Sequence, residues 1–252
     1  MVLVAGLVGL AVGSFLNVVI ARLPEQRSLA RPRSACPACG TAIAWHDNIP
    51  LLSFALLRGR CRACGIGIAW RYPLVEAITA ALFAASAVAF GPSADFVVAA
   101  ALLAALIAIT FIDLDHQIIP NAITYPGIVA GLVASLFSTR VSWLDSGLGV
   151  LVGGGIFLLI AEGSLRIMGQ EGMGGGDVKL GAMLGAFLGW KAMLFTMLLS
   201  VVGGGLVAAA LIASGLRGRK DPIPFGPFLA VAGAIGYFWG EEAARWYLAV
   251  FV

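Results

Sequence analysis

Long apolar stretches separated by short polar segments run along the whole chain. About eight of them are close to the roughly 20 residues that a helix needs to cross a bilayer. They lie at 2–20, 74–90, 95–112, 122–139, 147–168, 177–190, 192–215 and 225–250. In the sixth, Gly181, Gly185 and Gly189 share one helix face and would let another helix approach closely. In the seventh, the glycines at 203–205 mark a place where the helix can kink.

The composition agrees with this pattern. The chain is 60% hydrophobic and 12% charged, with a mean hydropathy of +0.98. Because soluble domains are about 25% charged, these values exclude a soluble enzyme, a disordered chain and a small disulfide-rich secreted protein. The net charge of +3 is too small to favour nucleic-acid binding. The first 20 residues lack a basic start and an Ala-x-Ala site, so we expect a retained helix rather than a cleaved signal peptide.

The segment 21–73 is the polar exception, and it contains many arginines and all four cysteines. Basic residues mark cytoplasmic loops, and most of the 16 Lys and Arg residues fall on the same predicted side as this segment. We therefore expect both chain termini outside and residues 21–73 in the cytoplasm. The fold class is then an all-α polytopic membrane protein with a small cytoplasmic loop domain. Its predicted parts are a first transmembrane helix (1–20), the cysteine loop domain (21–73) and membrane-embedded helices (74–252).

The cysteines form two CxxC pairs, Cys36–Cys39 and Cys61–Cys64, and a glycine follows each pair. This layout is typical of a zinc ribbon, in which two tight turns supply four thiolates in a tetrahedron. Disulfides, redox chemistry and metal-free thiols are the alternatives, and a cytoplasmic location disfavours disulfides. Four thiolates leave no open coordination position, so we predict a structural zinc site, although the spacing does not distinguish zinc from iron.

Two acidic clusters interrupt the membrane pattern, where acids are functional candidates by default. Asp113 follows an unbroken apolar run, and Asp115 lies two residues further out. Asp177 follows the glycine run 174–176 and precedes an apolar helix on the same predicted side. The plain alternatives are a polar interfacial turn for the first cluster and a helix N-cap for Asp177. The second cluster does not match a phosphate-binding loop, because no Gly-Lys-Ser/Thr follows.

Together the clusters suggest more than either does alone. Two carboxylates on separate helices at one membrane face could form an aspartyl dyad. One carboxylate would take a proton from water while the other donates a hydrogen bond to the scissile carbonyl. There are two competing hypotheses: an ion-conducting transporter, and a membrane scaffold protein that binds structural zinc and has no catalytic activity. No internal repeat supports a transporter. The two carboxylates of a working dyad should approach within roughly 3–6 Å.

Several motifs in order along nearly the whole chain resemble one family. The chain is similar to the type IV prepilin peptidases, bifunctional leader peptidases and N-methyltransferases of the GxGD aspartyl protease group. The motifs are Gly13-Ser14-Phe15-Leu16-Asn17-Val18-Val19, Arg22-Leu23-Pro24, both cysteine pairs, Asn48-Ile49-Pro50, Arg71-Tyr72-Pro73-Leu74-Val75-Glu76, the Asp113 segment, Gly174-Gly175-Gly176-Asp177 and Pro222-Ile223-Pro224-Phe225-Gly226-Pro227.

The resemblance implies that Asp113 and Asp177 are the catalytic aspartates. It also implies a multi-pass enzyme of the bacterial cytoplasmic (inner) membrane that cuts a short basic leader from type IV prepilins or type II secretion pseudopilins. The new N-terminal residue would then be methylated with S-adenosylmethionine. The family's cysteine loop is associated with methylation, so Cys36, Cys39, Cys61 and Cys64 imply that both activities are present. No S-adenosylmethionine site is assigned.

Further residues are candidates for the substrate cleft. The glycines Gly174, Gly175 and Gly176 would leave room for an extended peptide backbone. Asp115 and Glu171 could attract the basic leader, although a helix cap or loop acid is the plain interpretation of Asp115. Lys179 and Glu76 lie near the same membrane edge, and Glu76 could instead pair with a neighbouring arginine. The expected partners are a pilin-type substrate helix and the lipid bilayer, without nucleic acid.

Overall fold

The computed structural model describes residues 1–169, 172–218, 221 and 223–251. Its main elements are helices: α1 Val2–Arg22, α2 Leu52–Leu56, α3 Arg71–Phe90, α4 Ala94–His116, α5 Asn121–Ala134, α6 Trp143–Met168, α7 Gly175–Ala213 and α8 Gly226–Phe251, with a 3-10 turn at Trp45–Asn48. The described residues contain no β-strand and only isolated bridges, Ala35 with Ala42 and Arg60 with Gly67. Within the described residues, five helices (α1, α3, α4, α6 and α7) are long and apolar enough to cross a membrane. The predicted all-α membrane fold is confirmed.

The chain divides into two compact units, 1–108 and 109–252, with the boundary inside α4. In the first unit, α1 packs tightly on α3 through glycines. A Cβ on Gly9 would lie 2.7 Å from the Ala80 Cα, and one on Gly13 would lie 2.7 Å from the Glu76 Cα. Because no real Cβ could occupy these positions, the two glycines set the closest approach of the helices. The predicted division into a first transmembrane helix (1–20), a cysteine loop domain (21–73) and membrane-embedded helices (74–252) stays a prediction.

In the second unit, α6 and α7 cross with almost no side-chain volume between them. A Cβ on Gly185 would collide with the Gly149 carbonyl oxygen, and one on Gly153 would collide with the Gly181 carbonyl oxygen. The hydroxyl of Ser146 adds a 2.6 Å hydrogen bond to the Ala186 carbonyl. The predicted close approach of another helix to the glycine face of 181–189 is therefore found, and the approaching helix is α6.

Helix α7 reverses direction at Gly189, which has φ 74° and ψ 167°. The contacts of α8 reveal the reversal. Gly233 of α8 lies against Leu184 in the first half of α7, whereas Gly240 lies against Ala192 and Gly204 lies against Phe228. The first half of α7 therefore runs parallel to α8 and the second half runs antiparallel to it. The predicted separate segments 177–190 and 192–215 correspond to these halves.

The kink expected at 203–205 is wrong, because α7 stays helical through those glycines. The break lies at Gly189, where the positive φ favours a residue without a Cβ. The predicted fourth span 122–139 is also shorter in the structure, where α5 ends at Ala134 and contains Pro126.

Candidate active site and metal centre

Asp113 lies in the last turn of α4, and only 5% of its surface is exposed. Its Oδ2 accepts a 3.0 Å hydrogen bond from the backbone N–H of Gly226, the first residue of α8. The apolar run before Asp113 forms the helix, and Ile112 beside it is fully buried. The acid is thus held inside the protein rather than at a solvated turn, which the plain interfacial interpretation does not explain.

Asp177 lies in the first turn of α7. The helix begins at Gly175 with Gly174 as its N-cap, so Asp177 is the third helical residue and not the cap that the plain alternative expected. Its N–H donates a 3.1 Å hydrogen bond to the Gly174 carbonyl oxygen. The Asp177 Oδ1 atom is buried and has no hydrogen-bond partner among the described residues. A buried carboxylate oxygen without a partner is costly and is available to a water molecule or a substrate.

The turn between α4 and α5 brings the two acids together. Ile119 in that turn sits against both glycines that border them. A Cβ on Gly176 would lie 2.9 Å from the Ile119 Cβ, and one on Gly226 would lie 3.3 Å from the Ile119 Cδ1. Gly226, which bonds to Asp113, and Gly176, which precedes Asp177, therefore lie against the same isoleucine. The approach of the two carboxylates to within roughly 3–6 Å stays a prediction.

The three glycines before Asp177 have different surroundings. Gly176 is packed against Ile119, whereas a Cβ on Gly175 would meet no atom within 4 Å. A Cβ on Gly174 would meet the Asp177 Oδ2 at 3.3 Å. Gly174 and Gly175 are exposed. Close packing therefore explains Gly176, while open space lies beside Gly175.

Lys179 is held by α5. Its Nζ donates a 2.7 Å hydrogen bond to the Asn121 Oδ1 and lies 5.6 Å from the centre of the Tyr125 ring. These contacts connect the start of α7 to the start of α5, the helix that follows the turn containing Ile119. The orientation of Lys179, which the sequence left open, is therefore toward α5.

The other cleft candidates lie in different surroundings. Asp115 is exposed on the last turn of α4. Glu76 belongs to the first unit, where its Oε2 accepts a 2.8 Å hydrogen bond from the Leu51 N–H and its carboxylate also bonds to Ser14. Glu76 thus connects the loop before α2 to the packed helices α1 and α3. Its hydrogen-bond partners are these neutral groups and not the neighbouring arginine that the sequence suggested as an alternative. Glu171 and Pro222 lie outside the described residues.

The four cysteine sulfurs form one cluster in which all Sγ atoms lie within 4.8 Å of one another. Two matching turns build it. The Cys36 N–H bonds the Thr41 carbonyl at 3.0 Å and the Cys61 N–H bonds the Ile66 carbonyl at 2.8 Å. The glycines after the pairs, Gly40 and Gly65, have φ of 69° and 73°.

The donor set fits a metal ion. A tetrahedral four-thiolate zinc site with bonds of about 2.3 Å needs sulfurs a little under 4 Å apart, and the Cys36 and Cys64 sulfurs are 3.9 Å apart. Hydrogen bonding with Thr41 lowers the pKa of Cys39 to about 6, whereas burial raises the pKa of Cys64 to about 11. His46 contacts Asp47 at 3.8 Å and is not part of the cluster.

Two residues of the candidate active site were missed by sequence reasoning, Ile119 and Gly226. Ile119 acts through side-chain packing and Gly226 through its backbone N–H, so neither has a reactive group that the sequence would reveal. The Pro224-Phe225-Gly226-Pro227 run at the start of an apolar stretch was the available hint, because a glycine between prolines marks a constrained helix start.

Comparisons with known proteins show which family the chain belongs to. Residues 7–90 match the family model "Bacterial Peptidase A24 N-terminal domain", and residues 100–209 match the model "Type IV leader peptidase family". The chain is similar to a prepilin leader peptidase/N-methyltransferase of Aeromonas hydrophila, with 42% identity over 98% of this chain and 93% of that protein. The protein of the same name from Pseudomonas aeruginosa is 38% identical over 96% of this chain and 91% of that protein. No solved structure matches the chain. The chain therefore belongs to the type IV leader peptidase family.

Proposed function

We propose that this protein removes the basic leader peptide from type IV prepilins or type II secretion pseudopilins and then N-methylates the new N-terminal residue. The observation that carries the peptidase activity is the placement of the buried Asp113 and the half-buried Asp177 at the ends of two separate helices, with a buried, unpartnered Oδ1 atom on Asp177. Relatives that are 38–42% identical over nearly the whole chain carry the name of both activities. The membrane setting suits the substrate, because a pilin precursor is itself an apolar helix with a basic leader.

In the proposed mechanism the two aspartates share one proton. The ionised carboxylate takes a proton from a water molecule, and the resulting hydroxide attacks the scissile carbonyl. The protonated partner donates a hydrogen bond to that carbonyl oxygen and stabilises its developing charge. The unpartnered Asp177 Oδ1 is the atom that we assign to this contact with water or substrate.

The substrate strand is proposed to approach along Gly174 and Gly175. Their exposure and the open space beside Gly175 support this path, since an extended peptide backbone needs room close to the carboxylates. The exposed acid Asp115 lies on the last turn of the same helix as Asp113, which suits attraction of a basic leader. Lys179 is directed to Asn121 and is assigned to holding α5 against α7.

Methylation is proposed to depend on the cysteine loop, with Cys36, Cys39, Cys61 and Cys64 holding a structural zinc ion. S-adenosylmethionine supplies the methyl group to the new terminal amine. A small loop segment has little apolar core of its own, so a metal would contribute directly to its folding. The supporting observation is the compact four-sulfur cluster on its two matching turns.

The proposed location is the bacterial inner membrane, with the dyad and the cysteine loop at the cytoplasmic face and both termini outside. The distribution of basic residues supports this orientation. The indole N–H of Trp190, beside the α7 reversal, bonds to the Asp145 carboxylate at 3.0 Å. The first half of α7 therefore has Asp177 at its beginning and this hydrogen-bonded pair at its end.

The test is an in-membrane cleavage assay with a prepilin-type substrate. Wild type is compared with Asp113→Asn, Asp177→Asn and the exposed control Asp221→Asn, and mass spectrometry identifies the product N-terminus. We expect leader removal and the mass of one added methyl group for wild type and the control, and intact substrate for both dyad variants. Cleavage by either dyad variant at the wild-type rate would contradict the dyad. A folded wild type that leaves the leader intact would contradict the proposed function.

A further inference from the structure

The first residue of α8 contacts a candidate catalytic acid directly. The N–H of Gly226 is one of the helix-start amides that have no acceptor within their own helix. It donates instead to the Asp113 Oδ2 at 3.0 Å, across 113 residues of sequence. Gly226 and Asp113 are both buried. An amide in this position satisfies one oxygen of the carboxylate and limits how its side chain can rotate.

The absence of a side chain makes this contact possible. A Cβ on Gly226 would lie 2.5 Å from the Asp113 Oδ2 and 3.0 Å from its Cγ. The same Cβ would lie 3.3 Å from the Ile119 Cδ1, so there is no free space on the neighbouring side. Any other residue at position 226 must therefore displace the Asp113 carboxylate or the start of α8.

Helix α8 is fixed against the helix that carries the second acid. Gly233 would place a Cβ 2.5 Å from the Leu184 Cδ2, and Gly240 would place one 2.7 Å from the Ala192 Cβ. Both partners belong to α7, the helix that begins at Gly175 and contains Asp177. The Gly226 amide is consequently presented from a helix that is packed along α7, not from a separate loop.

The two acids differ in the hydrogen bonds that their carboxylate oxygens accept. Asp113 has one oxygen occupied by the Gly226 amide, while the Asp177 Oδ1 has no partner among the described residues. We propose that Gly226 is a positioning residue for leader cleavage: its amide holds the Asp113 Oδ2, so that the Asp113 Oδ1 is the oxygen that acts with Asp177 on the water and the scissile peptide. This inference rests on the proposed peptidase function.

The first test adds one methyl group at this contact. Gly226→Ala is compared with wild type and with Gly203→Ala, whose Cβ would meet no atom within 4 Å. The full chain is reconstituted in phospholipid vesicles, and kcat and KM for leader cleavage are measured. We expect Gly226→Ala to lower kcat about 100-fold, since a catalytic group displaced by about 1 Å loses that much. KM should stay at the wild-type value, because Gly226 is not expected to contact substrate.

The second test removes the hydrogen-bond donor without adding an atom. Replacing Gly226 by glycolic acid converts its amide to an ester, so the N–H is lost and the steric fit is kept. The expected loss is about 10- to 100-fold in kcat with KM unchanged, the size associated with a hydrogen bond to a charged group. This variant decides the question if Gly226→Ala does not fold.

Methylation of an already cleaved pilin serves as the folding control in both tests. Unchanged methylation together with lowered kcat supports positioning. A wild-type kcat for the ester variant would overturn the role of Gly226 and leave the proposed function intact. An equal loss of cleavage and methylation in the ester variant would also overturn it, because the contact would then be structural. A wild type that does not cleave would overturn both the proposed function and this inference.

Discussion

A charged pair joins two distant parts of the cysteine segment. The Arg62 guanidinium donates two hydrogen bonds to the Asp47 carboxylate, from Nε at 2.8 Å and from Nη2 at 2.6 Å. Arg62 follows Cys61 directly, and Asp47 lies in the 3-10 turn Trp45–Asn48. The pair therefore ties that turn to the second cysteine pair through a planar, bidentate contact.

The first prediction concerns the pH dependence of this contact. Hydrogen bonding with Arg62 lowers the pKa of Asp47 below its usual value. A lowered carboxyl pKa stabilises the folded state above the unfolded pKa of about 3.9, and this contribution is lost as the pH falls through the folded value. We expect faster hydrogen exchange of residues 45–48 in Asp47→Asn than in wild type at neutral pH. The difference should begin to shrink as the pH falls below about 3.9 and should disappear once the pH is below the lowered folded-state pKa. A difference that stays undiminished at every acid pH would contradict the prediction.

The site residues that the sequence could identify are those with chemistry of their own. Asp113, Asp177 and the four cysteines stand out because an acid beside an apolar run or a repeated CxxC is rare without a function. Gly226 lacks such a signal, because its partner lies 113 residues away and only the folded chain shows that a Cβ there would meet a carboxylate.

At the scale of elements, glycines decide how closely the helices of the second unit pack. Gly149 of α6 and Gly185 of α7 each face the other's backbone carbonyl. The sequence could indicate this face from glycines spaced four apart. It also separated the segments 177–190 and 192–215, close to the reversal of α7, but only the backbone shows that the break lies at Gly189, with a φ of 74°. The kink that the glycines at 203–205 predicted is not found, because these residues remain helical.

The second prediction tests the α6–α7 crossing. Gly185→Ala would bring a Cβ against the Gly149 carbonyl oxygen and 3.0 Å from the Val150 nitrogen. Backbone atoms cannot move aside as a side chain can, so we expect a loss of about 1–3 kcal/mol in the free energy of unfolding. Thermal unfolding in vesicles measures the change. Gly203→Ala, with open space around it, should match or slightly exceed wild type, and equal melting of both variants would rule out a tight crossing.

At the scale of the whole molecule, the two compact units match two separate family models. The unit boundary between residues 108 and 109 lies close to the gap between the matched ranges 7–90 and 100–209. The cysteine cluster belongs to the first unit, and Asp113, Asp177 and Gly226 belong to the second. The two proposed chemistries thus depend on residues from different units.

The third prediction follows from this separation. Cys39→Ser removes one of the four clustered sulfurs, so we expect loss of bound metal and a larger loss of methylation than of leader cleavage. Metal analysis of the purified chain and mass spectrometry of the product measure the three quantities. Ser34→Ala in the same segment is the matched control and should retain all of them. Equal loss of cleavage and methylation in Cys39→Ser would show that the units fold and act together.

We also expect the reversal at Gly189 to govern how the nascent chain is inserted into the bilayer. A straight helix of 39 residues would measure about 58 Å, nearly twice the hydrocarbon thickness of about 30 Å. If the insertion machinery treated it as one crossing, everything after it would emerge on the wrong face. The start of α8 would then be separated from Asp113 by the whole membrane. A single glycine at the turn of this hairpin, distant from the chemistry, is therefore a condition for the contact between Gly226 and Asp113.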